Sequence, residues 1–188
     1  MFTKLRKPKD IHLYTCEEMG AYALTLRKDK IKHLDLSDSP FPSMSVEQMA
    51  ALGKMIHDSK VTHLILKRNN FGHLSLSCLE AFATALSGAE KLVEFSIDGN
   101  RLQVPDFSFH HWQVLRSLFA SLSLKTISLQ YNELDGLEEE QFKQFKQLIR
   151  EAKDQCLIGI NNWSSERWIE IINAVEWRKQ GVASSPTL

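Results

Sequence analysis

Three side chains have types and spacings that could hold a metal: His33, His63 and Glu94, set 30 and 31 positions apart. Two imidazoles and a carboxylate form a zinc-type donor set. Near-equal intervals place all three at the same point of consecutive structural units, however, in one row on a nearly flat sheet. Such a row does not close a tetrahedral shell, so no metal and no cofactor is expected. Nucleophilic chemistry has little to start from. Cys16, Cys78 and Cys156 lie far apart without CxxC spacing, and none has an obvious His partner. No GxSxG, GxxxxGK or HExxH stretch occurs. His110 and His111 head a helix, where a surface and capping role is expected. Glu138, Glu139 and Glu140 stand at a helix start, where the macrodipole favours carboxylates. No catalytic residue is expected, and the chain reads as a non-enzyme.

The elements that place these residues repeat. Val61–Phe71 (VTHLILKRNNF), Leu92–Leu102 (LVEFSIDGNRL) and Leu124–Leu134 (LKTISLQYNEL) share apolar residues at places 1, 4, 6 and 11 and Asn at place 9. Ile31–Phe41 (IKHLDLSDSPF) is a fourth copy with Ser39 in the Asn place. Places 4 and 6 alternate with polar neighbours, the period of a short strand. Leu34, Leu64, Phe95 and Ile127 follow one another at 30, 31 and 32 positions, enough for one strand and one return helix. The helical stripes are Val46, Met49, Leu52, Gly53 and Ile56; Leu79, Phe82, Ala83 and Leu86; Trp112, Leu115, Phe119 and Leu122; and Phe142, Phe145, Ile149 and Ala152. Ser45 with Gln48, and Ser77 with Glu80, read as capping boxes, while Asp135 and Glu138 stand ready to begin the last of these helices. Same-sense repetition of strand and helix requires parallel strands joined by right-handed crossovers. A fifth strand is expected at Ile158 and Ile160, with Trp163 in the Asn place. A closing helix through Trp168, Ile171, Ile172 and Val175 should follow. Ile11 and Leu13, before a helix-like Met19–Leu26, read as a divergent first copy.

This pattern resembles the leucine-rich-repeat family, in its ribonuclease-inhibitor-like branch with full helices on the convex side. The match covers roughly residues 31–163. It implies an α/β solenoid, a short curved horseshoe with parallel β-strands on the concave face and α-helices on the convex face. It further implies that Asn69, Asn100 and Asn132 bond backbone groups in the loop after each strand. The expected organisation is a single domain, 1–180. It divides into a cap repeat at 1–30, four repeats at 31–154 and a capping repeat at 155–180, with 181–188 a flexible tail. Short, irregular proteins of this kind also resemble effectors that intracellular bacteria such as Legionella inject into host cells, which would make the partner a host protein.

Places 3, 5 and 7 of each strand point onto the concave face, and place 8 stands at the strand exit. Across the repeats that surface is mixed and polar. Tyr and Arg dominate binding energy where a partner covers them, which singles out Arg68, Arg101 and Tyr131. Ile65 is apolar where solvent or a partner is expected, and Lys67, Asp98 and Gln130 lie beside it in place 7. These seven residues form the candidate partner-binding site. Lys67 and Asp98 lie on neighbouring strands and could equally satisfy each other. Five strands span only ~19 Å, so a standard contact of roughly 800 Å² per partner must include the exit loops. The alternative is a structural or self-assembly role through the Trp-rich end, Trp163, Trp168 and Trp177.

Lys plus Arg and Asp plus Glu balance at 23 each, which argues against a broad nucleic-acid or acidic-membrane surface. Three scattered cysteines suit a reducing compartment. The N-terminal MFTKLRKPKDIHLY has no apolar secretory core. A cytoplasmic monomer that binds another protein is the expectation, in a host cytosol if the chain is an effector.

Overall fold

The structure is a computed structural model that describes residues 5–152 and 157–159. Six strands form one parallel sheet in chain order: β1 (Leu5–Arg6), β2 (His33–Asp35), β3 (His63–Ile65), β4 (Glu94–Ser96), β5 (Thr126–Ser128) and β6 (Leu157–Gly159). The register is exact in phase across the repeats. His33, His63, Glu94, Thr126 and Leu157 are successive partners, as are Leu34, Leu64, Phe95, Ile127 and Ile158. Between the strands run α1 (Cys16–Lys28), α2 (Val46–Ser59), α3 (Leu76–Leu86), α4 (Phe109–Ser121) and α5 (Glu139–Ala152). This is the leucine-rich-repeat solenoid.

The in-out alternation follows from the apolar places. Leu34, Leu64, Phe95 and Ile127 are buried at place 4, and Leu36, Leu66, Ile97 and Leu129 at place 6. Each such side chain contributes about 1.5–3 kcal/mol on burial. Met49, Leu52 and Ile56 of α2, Leu79 and Phe82 of α3, Trp112 and Leu115 of α4, and Phe142 and Phe145 of α5 close the core from the other side.

Two rows of hydrogen bonds tie the repeats together beyond the strands. Buried Asn100 accepts from the Asn69 and Phe71 N–H groups (2.8 and 3.3 Å) and donates to the Leu66 and Asp98 carbonyls (2.7 and 3.2 Å). Asn132 accepts from the Asn100 N–H at 2.6 Å and donates to the Ile97 and Leu129 carbonyls. Asn69 accepts from the Ser39 N–H at 2.7 Å, but its own amide nitrogen is buried without a partner among the described residues. The second row runs through the third residue of α2, α3, α4 and α5. Gln48 donates to the Tyr14 carbonyl (3.2 Å), His111 contacts that of Leu74 (3.1 Å) and Gln141 donates to that of Phe107 (2.7 Å). Cys78 makes the same contact weakly, its Sγ lying 3.7 Å from the Met44 carbonyl oxygen. In three of these repeats the side chain also accepts the backbone N–H of its own helix cap: Ser45, Ser108 and Glu138. A capping box thus doubles as a tether to the preceding repeat.

Four local expectations change. Ile11–Leu13 is not a strand but a 3₁₀ turn, equivalent to those at Phe41–Ser43, Phe71–His73 and Leu134–Gly136. Arg6 pairs with Leu34, so the first strand lies earlier and Leu13 is 70% exposed. Ile11 is buried because it holds the place-11 position under the turn, where an apolar residue is needed whatever precedes it. The third helix is capped by Ser75, which accepts from the Cys78 N–H, rather than by Ser77. Val46, in the first turn of α2, leaves the inward stripe and is exposed. His111 is buried rather than on the surface, because its ring fills the tether position. The expected strand residue Ile160, the closing helix, the 181–188 tail, Cys156 and the tryptophans at 163, 168 and 177 lie outside the described residues.

Candidate functional site

Parallel pairing continues past each three-residue strand. The Asp38, Arg68 and Gly99 N–H groups donate to the Lys67, Asp98 and Gln130 carbonyls at 2.9, 3.0 and 2.8 Å. At that point the backbone turns left-handed, with φ of +64° at Asp38, +54° at Arg68, +64° at Gly99 and +57° at Tyr131. L-residues adopt this conformation at a cost, and here the ladder bonds on either side hold it. The turn aims the place-8 side chains out at the end of the sheet. A second left-handed row follows at Asn70, Arg101 and Glu133. Pro40 breaks that row at φ −79° because its ring forbids positive φ. Gly72 lets the turn carrying Arg101 pack down, since a Cβ at 72 would collide with the Arg101 carbonyl.

The predicted residues fall into three groups. Lys67 reaches Asp98 at 3.0 Å, and Asp98 is 4% exposed and also accepts the Gln130 N–H at 3.0 Å. Asp98 is therefore spent on holding β4 to its neighbours, and Lys67 presents mainly its stem and part of its charge. Arg68, Tyr131 and Arg101 are exposed at the strand exits. Arg68 lays its guanidinium on Asp38 with two bonds, Nε to Oδ1 at 2.6 Å and one terminal nitrogen to Oδ2 at 3.0 Å. Lys7 joins the same carboxylate at 3.2 Å. The Arg68 contact first, and Lys7 after it, hold the Asp38 carboxyl below the usual carboxylate range. Asp38 and Lys7 were not singled out in the sequence, although Asp38 occupies place 8 one repeat before Arg68. Gly99 separates Arg68 from Tyr131 in this row, and the Arg68 stem lies over it: a Cβ at 99 would meet Arg68 Cγ at 3.3 Å.

Ile65, the last of the seven, lines a shallow concave depression of about 230 Å³ with His33, His63, Glu94, Ser96, Thr126 and Ser128. The two imidazoles stack at 3.9 Å between centroids and 11° between planes. His63 Nε2 lies 3.2 Å from Glu94 Oε1, and its Nδ1 lies 2.7 Å from Thr62 Oγ1. Burial, reinforced by the neighbouring His63, pushes the His33 pKa below the ordinary imidazole value. Face-to-face rings direct their nitrogens side by side rather than toward one point. Among the described residues no three His, Cys, Asp or Glu side chains are placed to hold a metal ion. A larger groove of about 470 Å³ lies between α3 and α4, lined by Glu80, Thr84, His110 and Gln113 among others. No helix of the described residues is long and apolar enough to cross a membrane.

No family model matches the sequence, and no curated protein matches it significantly. Among solved structures, the chain is similar to the leucine-rich repeat-containing protein LegL7 of Legionella pneumophila. The identity is 14% and the TM-score 0.42, covering 98% of this chain and 73% of that one. The in-phase parallel strands, the buried Asn row and the convex helices give this chain the leucine-rich-repeat fold.

Proposed function

We propose that the chain is a non-enzymatic interaction module that holds another protein on its concave strands and strand-exit loops. The observation that carries this reading is the exit row. Arg68 and Tyr131 are 64% exposed in side chain and residue respectively; the Arg68 N–H is bonded to the next strand, and Tyr131 follows Gln130, whose carbonyl accepts from Gly99. Rigid, outward Arg and Tyr are the types that dominate interface energy, and a surface formed beforehand limits the ordering cost of binding. Arg68 is oriented by Asp38, Ile65 offers an apolar contact below it, and Arg101 extends the patch along the next turn. Asp98 supports the site from within by fixing Lys67 and Gln130. A bacterial effector acting on a host protein in the host cytosol would be a specialised form of this function.

Affinity capture from lysate tests it, using the wild type and an Arg68→Ala/Tyr131→Ala variant matched for folding. A protein bound by the first and lost by the second supports the exit-row site. The same partner held equally by both would remove this site and turn attention to the helices, where the groove between α3 and α4 is the next surface to mutate. Concentration-dependent mass in purified protein, unaffected by the double variant, would favour self-assembly instead.

A further inference from the structure

Resting on that concave-face reading, we propose that the depression around Ile65 is a socket for one lysine or arginine side chain of the partner protein. Its volume of about 230 Å³ lies below the ~300–1,000 Å³ of pockets that enclose a free small molecule. One long side chain is the occupant of that scale. Ile65 supplies an apolar wall for a methylene stem, as long cationic side chains require when their heads stay in polar surroundings.

The head group is selected by charge. Glu94 stands at the mouth with its side chain 51% exposed, and only Oε1 is engaged by His63; a carboxylate has room for further donors. Asp35, paired in register with Ile65, adds a second carboxylate nearby. Of the nearby cations, Lys67 is turned onto Asp98, and Arg68, whose charge acts on Asp35, is bonded twice to Asp38. Burial keeps His33 toward its neutral form. Thr126 and Ser128 line the depression on the next strand and add hydroxyl acceptors. An acidic side chain would meet Glu94 and Asp35, and a purely apolar one would offer Glu94 no donor.

The probes are capped single residues, N-acetyl-N-methylamides of lysine, arginine, norleucine and glutamate. They are titrated into the full chain while backbone amide shifts are followed by NMR. The lysine or arginine probe should move the Ile65, Glu94 and Ser96 signals together, and whichever binds tighter names the head group. Norleucine and glutamate should bind about fivefold more weakly or worse, and Glu94→Gln should weaken the cationic probes by about fivefold, the factor of a half-exposed ion pair. Equal binding of norleucine, or cationic binding indifferent to Glu94→Gln, would overturn the proposal. So would silent probes beside a partner that the Arg68→Ala/Tyr131→Ala variant loses, a result that leaves the concave-face reading intact. Cationic probes that bind while that variant keeps its partner would uphold the socket and remove the exit row from the interface.

Discussion

Replacing Asn100 by alanine should be among the most damaging single changes to this protein, and far worse than the same change at Asn69. Asn100 is fully buried and its amide makes four bonds, two accepted and two donated. Its removal strands the Asn69 N–H, the Phe71 N–H and the Leu66 carbonyl away from water. The Asp98 carbonyl keeps the Arg68 N–H as a partner. Each buried group left unpaired costs about 1–3 kcal/mol, so three give roughly 3–6 kcal/mol at the lower half of that range. That is a large part of the ~5–15 kcal/mol that holds a typical domain together. Among the described residues Asn69 accepts one bond, from Ser39, while its own amide nitrogen is already unpartnered. Deleting it strands one N–H and removes one orphan donor, so the net loss should be under about 2 kcal/mol. Urea unfolding of both variants, followed by far-UV circular dichroism, measures the difference. Equal losses, or a larger loss at Asn69, would refute the account of the Asn row as a chain of unequal links.

Other outcomes follow from the same geometry. His111 Nδ1 lies 3.1 Å from the Ser108 backbone nitrogen, so it must accept, and its Nε2–H donates to Leu74. Burial pushes its pKa below the ordinary 6.5, and Leu74 opposes this less strongly. A depressed imidazole pKa means the unfolded chain binds the proton more readily. The contribution is therefore present above about pH 6.5 and lost as pH falls through the folded-state value. Denaturation midpoints should drop between pH 7.5 and 5, and His111→Gln should reduce that drop while keeping the fold, because Gln48 and Gln141 already do the same work. An unchanged pH slope in the variant would contradict the tether. Gly72→Ala should destabilise by at least the upper end of the ~1–3 kcal/mol of overpacked sites, read as a lowered thermal midpoint, because its Cβ meets backbone at Arg101 rather than a movable side chain. Arg68→Ala should leave the thermal midpoint nearly unchanged, since its pair with Asp38 is exposed and screened by solvent. A clear drop would recast that pair as structural.

The repeat was legible in the sequence because places 4, 6, 9 and 11 each answer to a single local demand. Two places are covered by the sheet, one supplies an amide for a buried turn and one fills the floor of the 3₁₀ turn. Their spacing at 30 to 32 residues already implied in-phase strands, and with them the rows that hold Ile65, Lys67, Arg68 and Tyr131. Apolar character without its place in the repeat is not enough to fix an element. Ile11 looked like a strand residue because it is apolar, but it belongs to place 11, and Leu13 beside it faces solvent. Only the tertiary structure could say that Asp98 is buried support, that Arg68 lies on Asp38 and that His33 stacks on His63. Those contacts join residues 30 or 31 positions apart, and which of several in-phase neighbours a side chain chooses depends on rotamer and burial. Sequence periodicity sets which residues can meet; the packed sheet and its left-handed exit turns decide which of them do.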